Sequence, residues 1–315
     1  MNLFEKLEAS AGRPLDLIGM GECMVEFWAD APLGEAQTFH RSYGGDIMNS
    51  LVAAARLGSR AGFISKIGDD PFGASLRGAW QAEGIDLRHC PLVEGTNGVY
   101  FIAQLDGGER DFTYYRKGSP ASTLAPEDVA EEYIASSRLL LLSGITQAIS
   151  KSAEAATLYA AEVARKNGVI VAFDPNYRAK LWRARAALDG AESGQALARA
   201  ATQTLLPFVD ILSLSAPADL EALDDDVDNL AKRVPLVCVK RGEQGCSIYA
   251  EGSRTDPPTE TTNVVDTTGA GDAWNGAFLH GLLQGNVAGA GELANRVAAK
   301  SVAYRGAVPP RASND

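Results

Sequence analysis

Leu139-Leu140-Leu141-Leu142-Ser143-Gly144-Ile145 is the stretch on which the fold turns. Four consecutive leucines run into a serine–glycine step. A strand with one wet face alternates apolar and polar side chains, whereas an unbroken apolar run suits a strand covered on both faces. Working outward, Val169-Ile170-Val171-Ala172-Phe173-Asp174, Val209-Asp210-Ile211-Leu212-Ser213-Leu214 and Leu236-Val237-Cys238-Val239-Lys240 repeat the pattern, with a helix from about Lys151 after the first. Leu15-Asp16-Leu17-Ile18-Gly19-Met20-Gly21-Glu22 and Ala61-Gly62-Phe63-Ile64-Ser65-Lys66-Ile67-Gly68 add strands nearer the N-terminus, and a helix carrying Leu76 and Trp80 follows. Apolar strands alternating with helices predict an α/β fold with a parallel sheet covered on both faces. Ligands of such sheets sit beyond the carboxyl ends of the strands. Gly144-Ile145, Asn176-Tyr177-Arg178 and Lys240-Arg241-Gly242 fall at such ends.

Two segments break the pattern. Met24 to Trp28 reads as a strand, and Gly98 to Leu105, the turn Asp106-Gly107-Gly108-Glu109 and Arg110 to Arg116 read as a β-hairpin with alternating faces. Segments near 24–43 and 97–118 thus predict a small sheet, suited to a lid, within a single domain spanning 1–315. The alanine-rich stretch Ala184 to Ala201 predicts a helix. Asp224-Asp225-Asp226 predicts a solvated loop, since three adjacent acids of a regular element cannot face one ion.

The chain has 315 residues, 46% hydrophobic and 22% charged, with a net charge of −11. That balance argues against a nucleic-acid partner. No apolar run is long enough to span a bilayer. The N-terminal MNLFEKLEASAGRP carries Glu5 and Glu8 and reads as a short helical turn or a tail rather than a secretory leader. Cys23, Cys90, Cys238 and Cys246 have no metal-site spacing; Cys23 and Cys238, in apolar contexts, read as reduced core residues, which predicts a cytoplasmic protein. His40, His89 and His280 lie in no zinc or triad context.

Chemistry concentrates in Asp266-Thr267-Thr268-Gly269-Ala270-Gly271-Asp272, ahead of the helix-like Ala273 to Leu279. The first amides of a helix starting here lack intrahelical acceptors and would bind an anion, with phosphate the best fit. A carboxylate is a poor phosphate ligand, but Asp272 suits a base that takes a proton from a hydroxyl. The pair points to phosphoryl transfer. The same residues also suit plain loop-to-helix punctuation with an Asp cap. Gly44-Gly45-Asp46-Ile47-Met48-Asn49 feeds a second helix, which places Asp46 and Asn49 together at its start. A capped helix with no ligand explains that stretch as well.

Gly44-Gly45 early and Asp266 to Asp272 late, with a lid-like β segment and a βα core between, resemble the two signatures of the ribokinase-like (pfkB) sugar kinase family. The resemblance spans nearly the whole chain. It implies the ribokinase-like three-layer α/β/α fold with a mostly parallel central sheet and a small β-sheet lid. It also implies transfer of the ATP γ-phosphoryl group to a sugar hydroxyl, with Asp272 as base and the amides of Gly269, Ala270 and Gly271 as anion hole. Gly21 to Glu26, Tyr114 to Ser119, Leu142 to Ile145, Asp174 to Arg178 with Leu181-Trp182, and Tyr304 to Ala307 are similar to the 2-keto-3-deoxygluconate kinases of that family. That likeness implies phosphorylation at the C6 hydroxyl, with Gly45, Asp46, Asn49, Tyr100, Tyr114, Arg116, Ile145 and Arg178 lining the sugar pocket. Arg116 and Arg178 would clamp a carboxylate, as guanidinium groups do. Alternatives are a fructokinase or ribokinase of a neutral sugar, or a non-catalytic sugar-acid or nucleotide sensor.

For the nucleotide, the resemblance points to Ser213, Ser215, Lys240, Gly242, Gly245, Thr268, Gly269, Gly271 and Asn295. A plain β-turn also explains Lys240 to Gly245. Magnesium with ATP is implied, but the family's Asn-x-x-Glu region reads Ser215-Ala216-Pro217-Ala218-Asp219 here, so no metal ligand is named. The resemblance also admits a monovalent cation near Asp266 and Thr268. Partners are a small sugar acid, ATP and, through exposed lid edges, further copies of the chain.

Overall fold

The leucine run forms the strand Ser137–Ser143, buried at every residue but Arg138. Residues 2–104, 110–260 and 262–311 are described in the computed structural model. The hairpin turn expected at 106–109 lies outside them. In chain order the strands are β1 (Leu15–Met20), β2 (Met24–Ala29), β3 (His40–Gly44), β4 (Ala61–Ile64), β5 (Ile67–Gly68), β6 (Asp86–His89), β7 (Leu92–Val93), β8 (Val99–Gln104), β9 (Arg110–Tyr115), β10 (Ser137–Ser143), β11 (Ile170–Asp174), β12 (Ile211–Ser215), β13 (Leu236–Lys240), β14 (Cys246–Ala250) and β15 (Ser253–Thr255).

The main sheet has nine strands in the order β15-β14-β13-β12-β11-β10-β1-β4-β6. The run from β13 to β6 is parallel, and β14 and β15 join antiparallel at one edge. Because side chains alternate across a pleat, the strands divide their apolar residues between two cores. Leu17, Leu139, Leu141, Ile170, Ala172 and Leu236 face one side, against the helices Asp46–Arg56, Ala270–Leu282 and Val287–Ser301. Ile18, Leu140, Leu142, Val171, Phe173 and Val237 face the other, against the helix Lys151–Lys166. The result is three layers, α/β/α. Each fully buried Leu or Ile contributes about 1.5–3 kcal/mol, which is why the uninterrupted apolar runs dominate the fold.

A second, four-stranded sheet has the order β3-β2-β8-β9. Met24, Tyr100 and Ile102 form a small core of its own. The stretch Ala184 to Ala201 departs from its expectation. It belongs to two helices, Ala179–Asp189 and Gly194–Leu205, because Gly190 ends the first and the Ser193 hydroxyl accepts the Ala196 amide to start the second. At the N-terminus, Leu3–Ala9 is a helix closed by a reciprocal Asn2–Glu5 cap. Asp226 caps the helix Val227–Arg233 by accepting the Asn229 amide at 2.8 Å. No helix of the described residues is long and apolar enough to cross a membrane.

One close contact positions the chemistry. The helices Ala270–Leu282 and Asp46–Arg56 touch at Gly276, where a Cβ would lie 2.0 Å from the Ser50 carbonyl oxygen. No larger residue fits at that crossing. One turn before Gly276 on the same helix face is Asp272, which the contact brings beside Asn49.

Candidate active site

The ends of β10 and β11 and the starts of the helices Asp46–Arg56 and Ala270–Leu282 meet beyond the carboxyl edge of the main sheet. Asp272, in the first turn of Ala270–Leu282, accepts a hydrogen bond from Asn49 Nδ2 at 2.8 Å. Asp46 opens the neighbouring helix and accepts from the Ser143 hydroxyl at the end of β10 and from Asn176 Nδ2 at 3.3 Å. Asp174 ends β11 and accepts from Lys240 Nζ at 2.8 Å and Asn275 Nδ2 at 2.6 Å. Asp46, Ser143, Asp174, Asn176, Asp272 and Asn275 line one cleft. Burial and the charge of Asp46 push Asp272 up to about 7, with Asp174 adding to the rise and the Asn49 hydrogen bond and Arg178 opposing it. Burial likewise raises Asp46. A carboxyl that titrates near neutral pH can take a proton from an alcohol as a new bond forms.

Next to this acid a helix start leaves two amides without acceptors among the described residues. Gly269 adopts the left-handed region at φ +75°, and a Cβ there would lie 2.5 Å from the Ala307 carbonyl oxygen. That turn launches the helix with its amides aimed outward. Ala270 N–H reaches the Thr267 carbonyl at 3.3 Å, while the Gly271 and Asp272 amides have no acceptor among the described residues. Free amides at a helix start, with the helix dipole behind them, hold a phosphate.

The two arginines differ. Arg178 stands at the N-cap of Ala179–Asp189, exposed, with no ion pair among the described residues. Its charge acts on Asp46 and Asp272, opposing the burial that raises both. Arg116 is not a free arm. It forms an ion pair with Glu22, which is 3% exposed and also accepts from Ser119 Oγ at 2.5 Å. The guanidinium lies 5.9 Å from the Tyr114 ring, which stacks on Tyr100 at 5.6 Å. Tyr100 is buried and donates its hydroxyl proton to a hydrogen bond with Glu26. Gly45 precedes Asp46 and donates its amide to Asn49 Oδ1 at 3.3 Å. Ile145 is partly exposed at the start of Gly144–Ile149, its amide held by Ser143 Oγ at 3.0 Å.

Residues 16–314 match the pfkB family of carbohydrate kinases. The chain belongs to that family. This kinase is 31% identical over 280 residues to fructokinase-1 of Oryza sativa subsp. japonica, covering 87% of this chain and 85% of that one. It is equally 31% identical over 282 residues to a 5-dehydro-2-deoxygluconokinase of Bacillus anthracis, covering 87% and 84%. Among solved structures, a putative ribokinase II from E. coli in complex with ATP and Mg2+ superposes with a TM-score of 0.82 at 25% identity, covering 93% and 94%. The kinase is therefore an ATP-dependent sugar kinase of ribokinase-like fold.

Several residues of the kinase expected at the nucleotide are engaged internally. Lys240 is buried and held by Asp174 and by Asn275 Oδ1 at 3.0 Å. Ser213 donates to Asn275 Oδ1 at 2.7 Å. Both amide hydrogens of Asn295 are taken by the carbonyls of Pro257 and Pro258, and its oxygen by Trp274 Nε1. Gly245 is brought next to Asn295 and Thr259, and Gly242 opens the short turn Gly242–Gln244. Ser215 donates its amide to Asp219 Oδ2 at 2.6 Å, and Asp219 also accepts the Tyr177 amide. Asp219 is thus turned inward, and burial with the charge of Asp174 pushes it up to about 6. Thr268 lies against Arg110, which also pairs with Asp266.

Sequence reading alone missed Asp174, Asn275, Ser143 and Glu22 as members of the site. Asn275 had a signal: it lies three residues after Asp272, on the same helix face. Asp174 also had one, as an acid at the carboxyl end of an apolar strand. The pairing of Glu22 with Arg116 left no local trace.

Proposed function

We propose that this kinase phosphorylates the C6 hydroxyl of 2-keto-3-deoxygluconate, giving 2-keto-3-deoxy-6-phosphogluconate. The supporting observation is Arg178, an exposed guanidinium with no ion pair among the described residues, whose charge acts on Asp272. A neutral sugar has no use for such a charge, while a carboxylate accepts its paired N–H groups. With the acid end held there, the far hydroxyl is directed to Asp272. That carboxylate takes the hydroxyl proton, the oxygen attacks the γ-phosphorus, and the bond to the leaving ADP oxygen breaks. The Gly271 and Asp272 amides receive the charge on the phosphoryl oxygens. The second sheet acts as a lid that excludes water, and its edge strands β3 and β9 are where copies of the chain would pair.

Magnesium accompanies ATP in this reading. Among the described residues no group of three acidic, histidine or cysteine side chains could hold a metal, and Asp219 is spent on two backbone amides. With no protein ligand assigned, the ion would bind with the nucleotide and supply charge neutralisation to its phosphates, keeping several waters of its own.

A second reading is a fructokinase. The Glu22–Arg116 pair, which neutralises one of the two arginines, favours it, as does the similarity to the rice fructokinase. Coupled ADP release measured with 2-keto-3-deoxygluconate, its galactonate epimer, fructose and ribose separates the readings. We expect kcat/KM to be highest for the acid sugars. Preference for fructose over both acids would refute the proposal.

A further inference from the structure

Away from the catalytic cleft, a cavity of about 230 Å³ lies between β3 and the helix Gly73–Ala82. Arg41 and Tyr43 leave β3 on the face opposite Tyr100 and Tyr114, since the register sets them one row to either side. Val25, Phe72 and Leu76 form the apolar wall, and Ser75 stands at the helix rim. None of the lining residues belongs to the cleft that holds Asp272.

The polar groups here are donors. Arg41 is exposed and has neither an ion pair nor a side-chain hydrogen bond among the described residues. Tyr43 lies two residues on, so the two side chains leave the strand about 7 Å apart. Burial raises Tyr43 above the usual phenol range, so its hydroxyl keeps a proton to donate, and that hydroxyl has no partner among the described residues. Glu83, Arg56 and Arg311 also act on it by charge. Both of those arginines already share Glu83, at 2.8 and 3.3 Å. Asp70, near the start of the helix, is spent on the amides of Phe72, Gly73 and Asn97. Arg41, Arg56 and Arg311 thus face one glutamate, a local surplus of positive charge in a chain whose net charge is −11. A concave site with an apolar wall and a few converging donors fits a ligand with an apolar body and an anionic head. A carboxylate presents two oxygens, one for Arg41 and one for Tyr43.

The cavity has a route to the chemistry. β3 runs directly into Gly45 and Asp46. Gly45 donates its amide to Asn49 Oδ1 at 3.3 Å, and Asn49 Nδ2 donates to Asp272 at 2.8 Å. On the opposite wall, Leu76 and Trp80 anchor the helix in the main core. An occupant touching both walls therefore fixes β3 against the main layer, and with it the start of the helix that carries Asp46 and Asn49.

We propose that this cavity is an effector site for a small aryl or alkyl carboxylate, whose binding steadies β3 and so favours binding of the sugar. The coupling is reciprocal, because each ligand acts only through a difference in its affinity for the same two arrangements. The site lies outside the phosphoryl-transfer machinery and is independent of which sugar accepts.

Phenylacetate is the probe, with phenylacetamide as its uncharged counterpart, and binding is read by calorimetry on the full chain without ATP. Phenylacetate is expected to bind with a Kd on the order of 1 mM, as suits about ten non-hydrogen atoms. Phenylacetamide should bind about tenfold more weakly, and Arg41→Gln should weaken phenylacetate by about the same factor. Ser75→Trp, whose indole would fill the cavity, should abolish binding while turnover without the probe stays at the parent level. Arg178→Ala should leave phenylacetate binding unchanged. With phenylacetate saturating, the Kd of the sugar selected by the substrate panel should fall by about fivefold, and saturating sugar should tighten phenylacetate by the same factor. Should Ser75→Trp not fold, Arg41→Gln on the exposed rim carries the comparison. Absence of binding at about ten times the expected Kd would overturn the proposal. So would parent-like binding in both Arg41→Gln and Ser75→Trp. Loss of binding in Arg178→Ala would overturn it too, since the probe would then sit in the catalytic cleft. An unchanged or weakened sugar affinity at saturating phenylacetate would remove the effector role and the proposal with it.

Discussion

The carboxyl edge of the main sheet and the second sheet are built on opposite plans. At the edge, polar groups satisfy one another: Asp174, Lys240, Asn275 and Ser213 form one connected network. Over the second sheet, aromatic rings reach solvent, with Tyr114 46% and Tyr115 66% exposed. A buried network whose members are all bonded is rigid, because each broken bond leaves a costly unpaired group. An exposed aromatic face gives up little when it moves. Under the proposed function, the difference gives Asp272 a rigid setting on the main sheet and leaves the second sheet a face that can adapt.

The largest effect should come from Asp272→Asn, which breaks the main-sheet half of the comparison. Turnover is expected to fall by about 10²–10⁴-fold, measured by coupled ADP release, with ATP binding by calorimetry little changed. Stability should move the other way. The folded-state pKa of Asp272, about 7, lies above its unfolded value, so folding favours the protonated form. Its contribution is fully present below the unfolded pKa and is lost as pH rises through the folded one. The Tm of Asp272→Asn relative to the parent should therefore rise between pH 4 and pH 8. A constant difference would remove the claim that this carboxyl is held near neutrality.

Lys240→Met comes next. It leaves Asp174 buried without its cation, at a cost of about 3–5 kcal/mol by denaturant unfolding. Adding Asp174→Asn should recover part of that loss; strict additivity would show that the pair is not coupled. Leu140→Ala, in the core beneath the same edge, should cost about 2–5 kcal/mol. Tyr115→Ala, on the second sheet, should cost within about 0.5 kcal/mol. Equal costs at these two positions would erase the contrast between the sheets. Between these in size, Arg178→Ala should raise KM for the acid sugar by on the order of tenfold to a hundredfold and leave that for ATP nearly unchanged. Equal changes in both constants would count against a carboxylate contact.

The layered α/β architecture was legible in the chain because it depends on local periodicity. Unbroken apolar runs such as Leu139 to Leu142 demand cover on both faces, wherever the rest of the chain goes. The turn at Gly269 and the carboxyl of Asp272 were legible for the same reason, since helix start, glycine and acid lie within a few residues. Partnerships across the fold were not. Asp174 and Lys240 stand 66 positions apart, and Arg110 meets Asp266 across 156. Side-chain type states what a residue can bond, not which strand crossover will bring a partner to it. Tertiary structure alone decided that Glu22 occupies Arg116 while Arg178 has no ion pair among the described residues, and that Gly276 lets two helices close until Asn49 reaches Asp272.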